Sequence, residues 1–279
     1  NKVGNLRYNV VRTWGYNEYS LKIYENIKNN NRDIKVQQGL YINTPNLEEC
    51  KTKLDTMMTD IAPYHEHVFA ISLLNETEHT VTAGTLEELI DYFHSRYGDH
   101  YKVTANFLAG TLNNSAFANV FDKLDFVNVN EYGGYFAYGE NHTHDDQIEQ
   151  LENKSYSQVP NDKMIVIGET GWQHKSRGGG VTAVFDSRLT PANAVDYYRK
   201  ITHAIYKDNS NTRFTFMFYF NLTNASWKSP QSPGDYNKDN WGLFQEGNGE
   251  GLGQLVHLGM GTTIDILKSN PEPTILIAH

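Results

Sequence analysis

The chain has 279 residues, 39% of them hydrophobic, which is enough for one large core, and it carries a net charge of -9 with a single cysteine. That acidic balance, without any Lys/Arg cluster, argues against a nucleic-acid partner, because neutralising phosphates takes a basic footprint. No apolar run approaches the length of a membrane span, and the lone Cys50 excludes an internal disulfide and reads as a small core residue within a helix.

Along the chain, short apolar runs rich in β-formers alternate with helical patterns. The predicted strands are Leu6 to Trp14, Ile34 to Tyr41, Val68 to Leu74, Tyr101 to Leu108, Phe126 to Tyr132, Met164 to Gly168 and Phe214 to Phe220. Several are nearly continuous apolar runs, as expected of strands covered on both faces of a parallel sheet. Between the second and third, Leu47, Leu54, Met57, Met58 and Ile61 recur at helical spacing and mark a core stripe. After the third, "TLEELIDYFHSRYG" opens with Thr85 and Glu88 in capping-box spacing and closes at Gly98. Before the last, Thr190-Pro191 has the chemistry of a cap followed by a first helical residue. No linker, repeat or low-complexity tract interrupts the alternation, so residues 1–279 read as a single α/β domain.

A doubly wound sheet and a (β/α)8 barrel both fit this order. The Gly-rich turn that serves nucleotides in doubly wound folds is missing, whereas a barrel demands polar residues just past the C-terminal ends of its strands. They are there: Arg12, Thr13 and Trp14 end the first run, Asn75 and Glu76 the third, Asn130, Glu131 and Tyr132 the fifth, and Glu169, Thr170 and Trp172 the sixth. On a barrel, Glu76 and Glu169 face one pocket. Paired carboxylates serve glycoside hydrolysis, one protonated to donate to the leaving oxygen and one ionised to attack the anomeric carbon, about 5 to 5.5 Å apart where configuration is retained. Asn75 beside one of them suits a sugar hydroxyl, and Trp172 or Tyr132 the apolar face of a sugar ring. Spacing alone does not say which carboxylate has which task.

Four stretches, in order, resemble glycoside hydrolase family 17, the β-1,3-glucanases and glucan transglycosylases of a retaining (β/α)8-barrel clan. "VIGETGW" (Val166 to Trp172) resembles the nucleophile signature and is the most specific of them. "AISLLNE" (Ala70 to Glu76) is similar to the acid/base motif, "FVNVNEYGGYF" (Phe126 to Phe136) to the strand-six segment, and "WGLFQ" (Trp241 to Gln245), after "SWK" (Ser226 to Lys228), to the segment that follows strand eight. The resemblance implies Glu76 as acid/base, Glu169 as nucleophile, and Asn75, Asn130, Tyr132, Trp172, Arg12, Trp227 and Lys228 as substrate contacts. For Arg12, a buried ion pair beneath the site is an equal alternative. No cofactor or metal is implied, the partner is a β-glucan, and the setting is secreted or associated with a cell wall.

There are two departures from the family pattern. Acidic residues are expected before the Trp-Lys pair, and Asn221, Asn224 and Ala225 stand there instead. The first predicted strand also corresponds to the family's strand two, so the first β/α unit is absent; an N-terminal segment outside residues 1–279 is the expected source of the missing strand, because an open barrel exposes edges. Among other candidates, "ENHTHDD" (Glu140 to Asp146) reads as a solvated loop rather than a metal site, and "SRGGG" (Ser176 to Gly180) as a lip of the cleft rather than a phosphate cradle. Six Asn-x-Ser/Thr sequons, at Asn75, Asn113, Asn141, Asn153, Asn221 and Asn224, would permit glycosylation in a secretory compartment. The reading that results is a retaining β-1,3-glucan hydrolase or transglycosylase; its rival is a weakly active or inactive barrel that binds glycan or serves as a wall glycoprotein.

Overall fold

The structure is a computed structural model that describes residues 10–132, 143–174, 188–206, 213–220, 241, 242, 244–246, 255–257 and 275–277. All seven predicted apolar runs contain strands: β1 (Val10–Arg12), β2 (Lys35–Gly39), β3 (Val68–Asn75), β4 (Lys102–Leu108), β5 (Val127–Asn130), β6 (Ile165–Thr170) and β7 (Phe214–Tyr219). From β1 to β7, neighbours in this series pair in parallel. Parallel neighbours need a crossover, and the helices supply it: α1 (Glu18–Asn29), α2 (Leu47–Ile61), α3 (Ala83–Tyr97), α4 (Ala118–Lys123), α5 (His144–Asn153) and α6 (Pro191–Tyr206). A hairpin of β8 (Phe244–Glu246) and β9 (Leu255–His257) stands apart from the barrel sheet.

This is a (β/α)8-type barrel without its first β/α unit, as the order of motifs implies. Closure comes from an unexpected direction. The strand β10 (Ile275–Ile277) lies between β7 and β1, parallel to both, with Leu276 level with Val11 and Tyr219. The far end of the chain thus pairs with both strands that would otherwise be open edges.

Local chemistry accounts for the helices. Asn46 caps α2, its side chain accepting from the Glu48 and Glu49 amides, and Cys50, Leu54, Met57, Met58 and Ile61 are buried along one face. Side chains of this size contribute roughly 1.5 to 3 kcal/mol each when fully buried. In α3 the cap is Thr82, which accepts from the Thr85 amide, so the expected start at Thr85 lies inside the first turn; the helix ends at Gly98, whose φ of 56° suits a residue without a side chain. Of the His/Asp run, residues 143–146 open α5, where Thr143 and Asp146 form a capping box and Asp145 pairs with Lys200, and residues 140–142 lie outside the described residues. No helix among the described residues is long and apolar enough to cross a membrane.

Candidate active site

Parallel strands of one barrel point their C-terminal ends to the same face, so β1, β3, β5 and β6 bring Arg12, Asn75, Glu76, Asn130, Tyr132 and Glu169 together there. Glu169 is reached first from below. Gly168 precedes it, and a Cβ at that position would collide with the Asn106 carboxamide and lie 2.7 Å from Asn130 Oδ1. Only glycine lets β6 pass that close, which explains why Glu169 follows one.

Arg12 organises the floor of the site. Its Nη1 donates to Glu169 Oε1 and to the Gly168 carbonyl, each at 2.8 Å, and its Nη2 donates to Asn75 Oδ1. With its carboxamide oxygen turned to the guanidinium, Asn106 accepts from Nη2 at 3.1 Å and Nε at 3.3 Å, while its nitrogen donates to Ser72 Oγ at 2.7 Å. Arg12 is 1% exposed, so its counter-charge must come from within, and Glu169, only 5% exposed, supplies it. Arg12 thus forms a buried ion pair with Glu169, with its donors directed to protein atoms. Asn106 escaped the sequence reading because it sits inside the apolar run of β4; an amide in the middle of such a run is the signal that could have found it.

Glu76 has different company. It is half-buried, its backbone φ is 56°, and its Oε1 accepts from Asn130 Nδ2 at 2.8 Å. The same Asn130 nitrogen lies 3.4 Å from Asn75 Oδ1, so a chain of contacts through Asn130, Asn75 and Arg12 links the two glutamates. Burial, and next the charge of Glu169, push the Glu76 carboxyl up to about 7, against the opposing pull of Asn130 and Arg12. Tyr132 Oη donates to Glu169 Oε2 at 2.9 Å, and burial followed by that neighbouring carboxylate holds the phenol well above its ordinary value.

Trp172 is 0% exposed, tilted against Tyr197 at 5.8 Å, with Nε1 donating to the Arg188 carbonyl. It belongs to the packing between β6 and α6 and presents no face to the cleft. Beside Glu169 stands Tyr132, whose ring meets Trp241 edge-on at 5.2 Å, with Phe220 next to both and stacked on Trp14 at 5.5 Å. Glu131, adjacent to these residues in sequence, turns away and pairs with Lys154, with Tyr156 Oη 3.5 Å off. Trp227, Lys228, Asn221, Asn224, Ala225 and the 176–180 run lie outside the described residues.

With this geometry in place, known proteins supply a comparison. No family model matches the sequence, and no curated protein does either. Solved structures do match. The β-1,3-glucanosyltransferase of Rhizomucor miehei, as an active-site mutant in complex with laminaritriose, aligns with a TM-score of 0.62 at 15% identity, over 85% of this chain and 82% of that one. Another structure of a Rhizomucor miehei β-1,3-glucanosyltransferase, assigned to glycoside hydrolase family 17, gives 0.60 at 16% identity over the same shares. A β-glucuronidase of Faecalibacterium prausnitzii gives 0.69 at 18% identity, covering 97% of this chain and 44% of that one. At such identities the likeness establishes the shared barrel architecture.

Proposed function

We propose that the protein is a retaining glycosidase acting on β-1,3-linked glucan, with Glu76 as acid/base and Glu169 as nucleophile. The observation that carries this reading is the unequal treatment of two linked carboxylates: one is bound to a buried guanidinium, and the other is pushed up to about 7 by burial and by the first. Divergent environments of this kind assign one residue to proton donation and the other to attack. The neighbours' names support the substrate class, since one of the matched barrels was solved with laminaritriose.

In the first step an oxygen of Glu169 bonds to the anomeric carbon as the glycosidic C–O bond breaks, and Glu76 gives its proton to the departing oxygen. In the second, the Glu76 carboxylate takes a proton from the acceptor hydroxyl, which attacks the anomeric carbon and frees Glu169. Water as acceptor gives hydrolysis; a sugar hydroxyl gives transfer. Arg12 and Tyr132 hold the two Glu169 oxygens in place, Asn75 is placed for a sugar hydroxyl, and Tyr132 with Trp241 lines the ring-binding wall. A polymer of this kind lies outside cells, so a secreted or wall-associated setting goes with the proposal.

The test is incubation of wild type and Glu169→Gln with laminari-oligosaccharides, following products by chromatography and the new anomeric centre by NMR. Retained configuration that disappears in the variant is the expected result, and products longer than the substrate mark transfer. Inverted configuration, or binding without turnover by wild type, overturns it; the second outcome favours a glycan-binding barrel.

A further inference from the structure

Two non-glycine residues on the rim of the site have a left-handed backbone that an ordinary side chain adopts only at a cost: Glu76, at φ 56°, and Tyr41, at φ 55°. Strain of this kind persists where the surroundings impose it, and it gathers at functional sites. The remaining case among the described residues, Asn31, has the side chain type that tolerates this region best and follows the Asn30 cap of α1.

Tyr41 lies two residues beyond β2, whose last residue, Gly39, pairs with Ser72 of β3, so it stands at the same end of the barrel as Glu76. The next residue, the buried Ile42, accepts a 2.5 Å hydrogen bond from Thr77 Oγ1, and Thr77 directly follows Glu76. One bond therefore ties the two strained positions together. Gly15 provides the seat: a Cβ there would come within 3.1 Å of Tyr41 Cβ, and the Gly15 carbonyl is itself fixed by Gln38 Nε2 at 3.1 Å. Despite this support, Tyr41 remains 46% exposed. The more exposed Tyr19 differs, since Lys22 Nζ covers its ring at 4.8 Å.

We infer that Tyr41 is a sugar-stacking platform, a glycan subsite on the β2 side of the cleft, away from the Tyr132 wall. The inference rests on the glycosidase reading and extends it to the binding of longer chains. An amphipathic ring fixed by its backbone, with its apolar body left in water, gains stability only when a pyranose covers it.

The experiment compares wild type, Tyr41→Ala, Tyr41→Asn, Tyr41→Trp and, as a control, Tyr19→Ala on laminari-oligosaccharides from the trisaccharide to the heptasaccharide. Asparagine accepts the left-handed backbone and keeps one variant folded if alanine does not. The alanine and asparagine variants are expected to lose about tenfold in kcat/KM on the longer substrates, through KM and with kcat held, since one stacked ring contributes about that much. Tyr41→Trp retains the dependence on chain length, and Tyr19→Ala matches wild type. Unchanged length dependence in folded Tyr41→Ala and Tyr41→Asn overturns the platform while leaving the glycosidase reading intact. If wild type turns over no length, that reading fails by itself, and calorimetry with the heptasaccharide decides the platform: equal affinity of wild type and Tyr41→Asn overturns it.

Discussion

Glu76 and Glu169 are the same amino acid at equivalent places, each near the C-terminal end of an apolar barrel strand, and the structure treats them differently. Glu169 is almost fully buried against Arg12, with Tyr132 donating to its other oxygen. Glu76 is more open, receives one amide donor from Asn130, and sits on a strained backbone. Charge and donors collect on one side of the pair, while the other is raised to about 7. The lesson is that identity and position bring both carboxylates to one face of the barrel, and neighbours on other strands give each its own surroundings. Arg12 comes from β1, Tyr132 from just past β5 and Asn130 from β5.

The largest expected effect breaks the comparison outright. Under the proposed mechanism Glu169→Gln keeps the shape and removes the attacking oxygen anion, so kcat should fall by at least about 10³-fold, as for loss of other covalent nucleophiles; steady-state kinetics on laminari-oligosaccharides checks it. Arg12 is next. Lysine keeps the charge but lacks the fork that reaches Glu169, Gly168 and Asn75 together, and the expected loss is on the order of 10²-fold in kcat from a misplaced nucleophile. Methionine at position 12 leaves a buried carboxylate without its partner, at about 3 to 5 kcal/mol of stability, readable by denaturant titration. Tyr132→Phe removes one hydrogen bond to the same carboxylate and is expected to lower kcat by about tenfold, in proportion to a bond to a charged group. If Tyr132→Phe were to cost as much as Arg12→Lys, the phenol would have a larger part than the geometry gives it.

Much of this arrangement is legible in the amino-acid sequence. Arg12, Asn75, Glu76, Asn130, Tyr132 and Glu169 each follow or end an apolar run, and a parallel barrel has no choice but to gather such residues on one face. Where sequence misleads, the deciding contacts are not local. Trp172 looks like a cleft residue because it follows Glu169 closely, yet Gly171 passes so near the Phe220 carbonyl that a Cβ there would collide with it, and the indole packs toward α6. Thr85 is a local exception: it has the spacing of a cap, but Thr82, three residues earlier, accepts from its amide. The strand that closes the barrel is only three residues long and lies more than fifty residues beyond β7, and nothing local in "ILI" distinguishes it from a short apolar tail.

Glu76 offers the smallest effect and the sharpest test of the comparison. Its folded value of about 7 stands above the unfolded value near 4.3. Between those two, the native chain holds a proton that the unfolded chain has released, so the native state is favoured at low pH and this contribution fades as pH rises through about 7. Activity should have an alkaline limb in the same region, because the acid must be protonated to donate. Replacement by glutamine removes the ionisation. Glu76→Gln is therefore expected to unfold like wild type at pH 4 and to be more stable at pH 8, by roughly 1 to 2 kcal/mol once partial exposure to water is allowed for. Urea titrations of both proteins at the two pH values measure the difference directly. A gain at pH 8 requires that the cost of ionising Glu76 is built into the fold, with Glu169 as one of its sources; an equal gain at both pH values would locate the effect in packing, and the two carboxylates would lose the contrast that assigns their tasks.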